Sequence, residues 1–362
     1  MDCCAKLIMS GVFVNVGGTW KDATNYFVNV NGTWKEGNEI NARMGTEWKD
    51  SGIIKDNLTI HYDGYNTNSY SNSTTTANGT TWKDLSGNNF DGVVETTSTT
   101  TNSITWDNTE KAMVFSSTAS DLPANNASSL VNNDIAIKDL NYVSGSSDGI
   151  TNLTIACWCK SVSGTISGLQ TNGNTTTRGT HDQRVIASFD RSAIWRFGIG
   201  SDGAGAYSAG KLVFGFTGTN VNGVEQFKGD FVGGGGNSSH NSTSHTYDLR
   251  DDSWHYVAVT FTTSELRFYV DGVKIDTMTF ASGAFGELGG GDEVNNETPR
   301  FGFIGVGSEA PSFSGNTGPR QLFAGKIGAF HYYTSGSDSA ATLTDAQILH
   351  NFNALKYRYG FT

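Results

Sequence analysis

The chain has 362 residues, with 24 basic and 35 acidic side chains and a net charge of −11. That balance argues against nucleic acid as a main partner, since phosphate recognition needs a basic surface; a hydrophobic fraction of 36% argues against disorder of the whole chain. No apolar run approaches the roughly 20 residues of a membrane-spanning helix, and the opening MDCCAKLIMSGVF reads as too short and too weakly basic for a secretory signal.

The first pattern along the chain is a repeat. Trp20, Trp34 and Trp48 recur every 14 residues, in VFVNVGGTWKDATN, YFVNVNGTWKEGNE and INARMGTEWKDSGI. In each copy Trp is followed by Lys and then an acid. A strand-like run, a Gly-containing turn and a short returning segment make each copy a β-hairpin. Short hairpins bury little surface alone. Residues 1–52 are therefore expected to anchor or oligomerise the chain through Trp20, Trp34 and Trp48, with a satellite sheet folded on the main domain as the alternative.

From residue 53 to 362 short apolar runs alternate with polar, Gly-rich stretches. LTIHYD (58–63), AMVF (112–115), LTIACWC (153–159), RVIASF (184–189) and IWRFGIG (194–200) predict strands. So do LVFGF (212–216), WHYVAVTF (254–261), LRFYVDG (266–272), FGFIGVG (301–307) and LFAGKIGAFHYY (322–333). Many short strands with turn signals predict an all-β antiparallel sandwich. Period-2 alternation puts Leu153, Ile155, Cys157 and Cys159 on one face, as core residues in preference to metal ligands. Asp271-Gly272 between two strand runs predicts a two-residue hairpin turn. Near the end, Thr344 and Gln347 form a capping box. Ile348, Leu349, Phe352 and Leu355 form the apolar stripe of one short C-terminal helix. Ten N-x-S/T sequons, including Asn57, Asn78 and Asn152, prove no secretion in a chain so rich in Asn, Ser and Thr.

Several stretches resemble a known family. HYDGYNTNSYSNSTTTANGTTWKDLSGNNFDGVV (61–94) resembles the opening strand and turn of concanavalin A-like, laminin G-type sandwich (jelly-roll) domains of phage and other viral structural proteins. LTIACWCK (153–160) is similar to an inner strand of that family, and DSWHYVAVTFTTSELRFYVDGVKID (252–276) to its hairpin. FAGKIGAFHYYTSGSDSAATLTDAQILHNFNALKYRYG (323–360) resembles its closing strand, helix and tail. The Trp-Lys repeats resemble short modules of virion proteins. The adjacent Cys3 and Cys4 and the long Gly-rich insertions depart from the pattern. The resemblance implies a fold and leaves function open, because this fold hosts lectins, glycosidases and structural domains.

Catalysis is not expected. A retaining glycosidase needs two carboxylates about 5–5.5 Å apart, and no strand carries acids in that spacing. The acids at 248–252 and 292–293 read as solvated loop residues. Laminin G-type domains often hold calcium at a rim, and Asp182, Asp190 and Asp202 are the candidate ligands of a Ca2+ ion. His240 and His245 read as exposed and uncommitted. Sugars are held by aromatic stacking with Asn, Asp and Arg hydrogen bonds. Trp195, Arg196, Asp202, Tyr207 and Asn220 are candidate glycan contacts, with His181 and Asp182 ending a neighbouring Thr-rich loop. Trp195 fits a core position equally well. The expected protein is a non-enzymatic virion surface component, of tail-fibre, spike or capsid-decoration type. It attaches to host surface glycans and contacts other virion proteins as a homo-oligomer, with a trimer favoured. The alternative is a purely structural clamp with no ligand.

Overall fold

The computed structural model describes the backbone of seven short strands between residues 6 and 50. Beyond them it describes residues 52–70, 80–96, 104–115, 133–142, 150–163, 183–189, 194–200, 210–219, 225–233, 246–282, 286–288, 300–307, 323–335 and 339–361. The chain divides into two compact units, one comprising residues 1–54 and 349–362 and the other residues 55–348.

The N-terminal strands are β1 (Lys6–Ile8), β2 (Gly11–Val16), β3 (Thr19–Asp22), β4 (Phe27–Val30), β5 (Thr33–Glu36), β6 (Asn41–Met44) and β7 (Glu47–Asp50). β2 pairs with β3, β4 with β5 and β6 with β7, each antiparallel and with two residues of sequence between the strands. The register is the same three times: Trp20 stands opposite Asn15, Trp34 opposite Asn29 and Trp48 opposite Arg43. β1 adds a third strand beside β2. The side chains of Trp20, Trp34 and Trp48 lie outside the described residues.

The second unit begins with β8 (Leu58–Asp63), β9 (Thr81–Trp82), β10 (Gly92–Thr96), β11 (Thr105–Asp107), β12 (Ala112–Phe115) and β13 (Asn133–Tyr142). It continues with β14 (Asn152–Ser161), β15 (Gln183–Phe189), β16 (Trp195–Gly200), β17 (Leu212–Thr219), β18 (Glu225–Gly233) and β19 (Trp254–Thr262). β20 (Glu265–Val270), β21 (Val273–Thr279), β22 (Glu287–Leu288), β23 (Arg300–Ile304) and β24 (Gly325–Ser335) complete it. One sheet runs β18-β17-β16-β15-β23-β13-β10-β9, with β22 on β17. The facing sheet runs β11-β12-β24-β14-β19-β20-β21, with β8 also on β24. Every pairing given for these strands is antiparallel, so the unit is an antiparallel β-sandwich, as expected.

Alternation along the strands decides what lies between the sheets. Leu153, Ile155, Cys157 and Cys159 of β14 share the core with Leu212, Phe214 and Phe216 of β17. Both cysteines are buried free thiols, so the small apolar reading of this pair holds. Trp195, Phe197 and Ile199 take the same inner face of β16. The Trp195 ring lies 5.8 Å from Phe189, 6.4 Å from Phe214 and 5.6 Å from Tyr332 of the opposite sheet. Its exposure is 1%. Trp195 is therefore a core residue and cannot stack on a sugar, which corrects its assignment as a glycan contact: period 2 carries it inward with Phe197.

Asp271 and Gly272 have φ of 50° and 78°. They close the β20–β21 hairpin in the left-handed region that a primed turn requires. The helix α1 (Asp345–Leu355) starts at the expected capping box: the Gln347 backbone N–H donates to Thr344 Oγ1 at 3.3 Å, and the Thr344 N–H to Gln347 Oε1 at 2.9 Å. Ile348, Phe352 and Leu355 are buried, at i, i+4 and i+7. Leu349 is 43% exposed and leaves the expected stripe, being turned about 100° from Ile348. Beyond it, Asn351 is buried and its Oδ1 accepts the Ile54 N–H at 2.8 Å, while His350 Nε2 meets the Gly52 carbonyl at 2.8 Å.

Candidate functional site

One end of the sandwich gathers a set of charged side chains. There β14 ends, β15, β17, β19 and β24 begin, and the β20–β21 turn reaches the same level, while Asp107 and Glu110 of the β11–β12 hairpin meet Lys326 from the start of β24. Residues 246–253 cross this end as a strap. The Leu249 N–H donates to the Gly210 carbonyl at 3.0 Å and the Asp252 N–H to the Ser161 carbonyl at 3.1 Å. The strap therefore joins both sheets.

Asp248 is its fixed point. Its Oδ1 accepts the Arg250 N–H and Nε, each at 2.9 Å, and its Oδ2 accepts Arg250 Nη2 at 2.7 Å. The hydrogen bond from Arg250 holds the Asp248 carboxyl below its ordinary range, against the effect of burial. The carboxylate lies over Gly210, where a Cβ would come within 1.9 Å of Oδ1. Lys211 Nζ donates to the Tyr247 carbonyl at 2.6 Å and sits 4.1 Å from the Tyr247 ring centroid. Burial lowers the pKa of this lysine. Arg184, fully buried, reaches across from β15 and donates from Nη1 to Ser161 Oγ at 2.6 Å on the facing sheet.

Beside the strap His255 stands between two carboxylates. Its Nδ1 meets Asp271 Oδ2 at 2.8 Å and its Nε2 meets Asp251 Oδ2 at 3.3 Å. Asp271 Oδ1 also accepts the Tyr256 N–H at 2.9 Å. Burial disfavours the imidazolium, but the hydrogen bond and charge of Asp271 outweigh it and raise the pKa to about 9. Further along, Lys326 Nζ bridges Asp107 at 2.7 Å and Glu110 at 2.5 Å, and Lys160 Nζ meets the other Glu110 oxygen at 3.2 Å. The Lys326 hydrogen bond lowers the Asp107 pKa. Glu110 is also lowered: burial pushes it up, but hydrogen bonds from Lys326 and Lys160 prevail. These carboxylates are held ionised by cations, the reverse of what a general acid requires. Trp254 is a half-buried aromatic at the exit of the strap that carries the exposed Asp248, Asp251 and Asp252, whereas the Tyr247 ring packs against the core beneath Lys211. Trp254 and these carboxylates form a surface able to hold a polar, ring-shaped ligand by stacking and hydrogen bonding.

Of the candidates read from the sequence, the structure describes Trp195 and Arg196. Arg196 is half-buried on the face of β16 opposite Trp195. Asp202, Tyr207, Asn220 and His181 lie outside the described residues, as do the calcium candidates Asp182 and Asp190. Among the residues that flank them, Gln183 and Gly200 pair at the strap end of the sheet, whereas Phe189 and Trp195 pair at the opposite end. Among the described residues no group of three or more His, Cys, Asp or Glu could hold a metal ion.

Sequence reasoning passed over Arg184, Lys160, Lys326, Lys211, Tyr247, Trp254 and His255. One signal was present: Arg184 and Lys160 are charges placed at the ends of otherwise apolar strand runs, where a strand leaves the core.

A model of the concanavalin A-like lectin/glucanases superfamily matches residues 132–335. Among solved structures, the chain is similar to the binding domain of botulinum neurotoxin DC in complex with rat synaptotagmin II, with 15% identity, 83% of this chain and 52% of that chain covered, and a TM-score of 0.42. It is similar to the binding domain of Paraclostridial Mosquitocidal Protein 1, with 15% identity, coverages of 83% and 52%, and a TM-score of 0.38. Domain 4 of AbnA, a GH43 extracellular arabinanase from Geobacillus stearothermophilus solved with arabinotriose, gives 13% identity, coverages of 81% and 96%, and a TM-score of 0.40. The chain thus spans about half the length of the two toxin chains it matches. None of the curated proteins compared with it matches. With the two-sheet topology and a family match over more than half of its length, the chain belongs to the concanavalin A-like lectin/glucanase superfamily.

Proposed function

We propose that this protein is a non-catalytic, lectin-like surface component of a virion, assembled from several copies through its N-terminal hairpins and attaching to host glycans through the strap end of its sandwich. The observation that carries the glycan reading is half-buried Trp254 at the exit of a strap that carries exposed Asp248, Asp251 and Asp252 and is tied to both sheets. The aromatic face supplies stacking, the carboxylates accept sugar hydroxyls, and the tie pre-organises both. The superfamily includes lectins, which supports the same reading. The non-catalytic reading is supported by Asp107, Glu110 and Asp248, each neutralised by Lys or Arg. The virion reading is supported by the resemblance of the repeats to virion modules.

A glycan array with the full chain tests the proposal. The expected result is binding to a restricted set of glycans without cleavage, weakened at least about tenfold by Trp254→Ala with melting temperature as control; about tenfold corresponds to 1.4 kcal/mol. An array without binding, or binding indifferent to this substitution, would refute the site.

A further inference from the structure

The hairpin register explains why each repeat spells Trp-Lys-acid. Successive residues of a strand belong to opposite faces. In the second hairpin the pairs Phe27–Glu36 and Asn29–Trp34 share one face, while Val28–Lys35 and Val30–Thr33 share the other. In the first, Phe13–Asp22 and Asn15–Trp20 lie on one face, Val14–Lys21 and Val16–Thr19 on the other. By register, these two hairpins thus have an aromatic, acidic face and an aliphatic, basic face. β1 adds Lys6 next to Phe13 on the acidic side of the first hairpin, and Arg43 and Glu47 mix the signs of the third. The charge argument therefore rests on the second hairpin and on the basic face of the first.

We propose that the aromatic, acidic face of one copy's hairpins packs on the aliphatic, basic face of the next copy's, closing a head-to-tail ring of three or more chains. The occupant is a second copy because the two faces complement each other in charge and both carry apolar groups. Stacking hairpins within one chain would always leave an acidic face at one end and a basic face at the other. A closed head-to-tail ring leaves neither. This rests on the assembled reading above but not on its glycan, so the readout is mass in solution, in which no sugar takes part.

Light scattering and native mass spectrometry on the full chain are expected to give a single assembly of at least three times the 38.7 kDa chain mass. Lys21→Glu with Lys35→Glu is expected to give monomers. Lys21 and Lys35 stand opposite Val14 and Val28 in the register. Adding Asp22→Lys and Glu36→Lys restores the complement with opposite signs and is expected to return the assembly, which separates a lost interface from a lost fold. A monomeric or dimeric native chain, an assembly indifferent to the first reversal, or a failure of the second to rescue would each overturn the proposal.

Discussion

His255 shows how one residue can join local structure to the candidate site. Its imidazole ties the strap, through Asp251, to the hairpin turn, through Asp271. The folded-state pKa is raised from 6.5 to about 9, because the Asp271 hydrogen bond and charge exceed the opposing effect of burial. The stabilisation is therefore complete below about 6.5 and is lost as pH rises through about 9. His255→Gln removes a charge-assisted hydrogen bond and should cost about 2 kcal/mol near neutral pH. Melting temperatures measured between pH 6 and 10 check this: the native protein should lose stability towards the alkaline end, and the variant should start lower and lack that increment. Parallel curves would show that the clamp contributes nothing.

Within the elements, the β20–β21 hairpin shows two roles carried by one sequence signal. Asp-Gly announces a primed turn, and Asp271 and Gly272 do hold positive φ. The same aspartate fastens His255 and the Tyr256 N–H, a role that no local pattern encodes because its partners are 15 and 16 residues away. Asp271→Asn keeps a residue that tolerates the left-handed region while removing the charge. The turn should survive, and the His255 titration followed by NMR should move down from about 9. An unmoved titration would assign the shift to another neighbour. The strands were legible in the same local way. β14, β16 and β17 face the core with Leu153, Trp195 and Phe214, so their alternation marks them. β18 (Glu225–Gly233) was missed: it is the edge of its sheet, paired on one side only, and its run EQFKGDFVG is interrupted by charges and glycines, as exposed edges commonly are. Trp195 was half legible, since alternation already put it beside Phe197, but an aromatic near a polar loop carries the same letters whether it stacks on sugar or on Tyr332.

At the scale of the molecule, the candidate site was the least legible part because it is assembled from strand ends far apart in sequence. Arg184 meets Ser161 across the sandwich, Lys326 meets Asp107 from the far end of the chain, and the strap joins Gly210 to Ser161. None of these pairings follows from spacing. The repeats were legible because their order is local. Their proposed assembly has a measurable consequence. Copies joined by their hairpins carry several strap ends per assembly, and linked sites that engage together raise avidity by about 10²–10⁴ over a single site without any new contact. Lys21→Glu with Lys35→Glu should therefore leave the affinity for a soluble, monovalent glycan unchanged, because neither residue belongs to the strap. It should sharply shorten the dwell time on a surface densely coated with the same glycan, and the charge-restored variant should recover it. Surface plasmon resonance at low and high glycan density separates the two quantities. Equal dwell times for the native and reversed chains at both densities would mean that the hairpins add nothing to attachment.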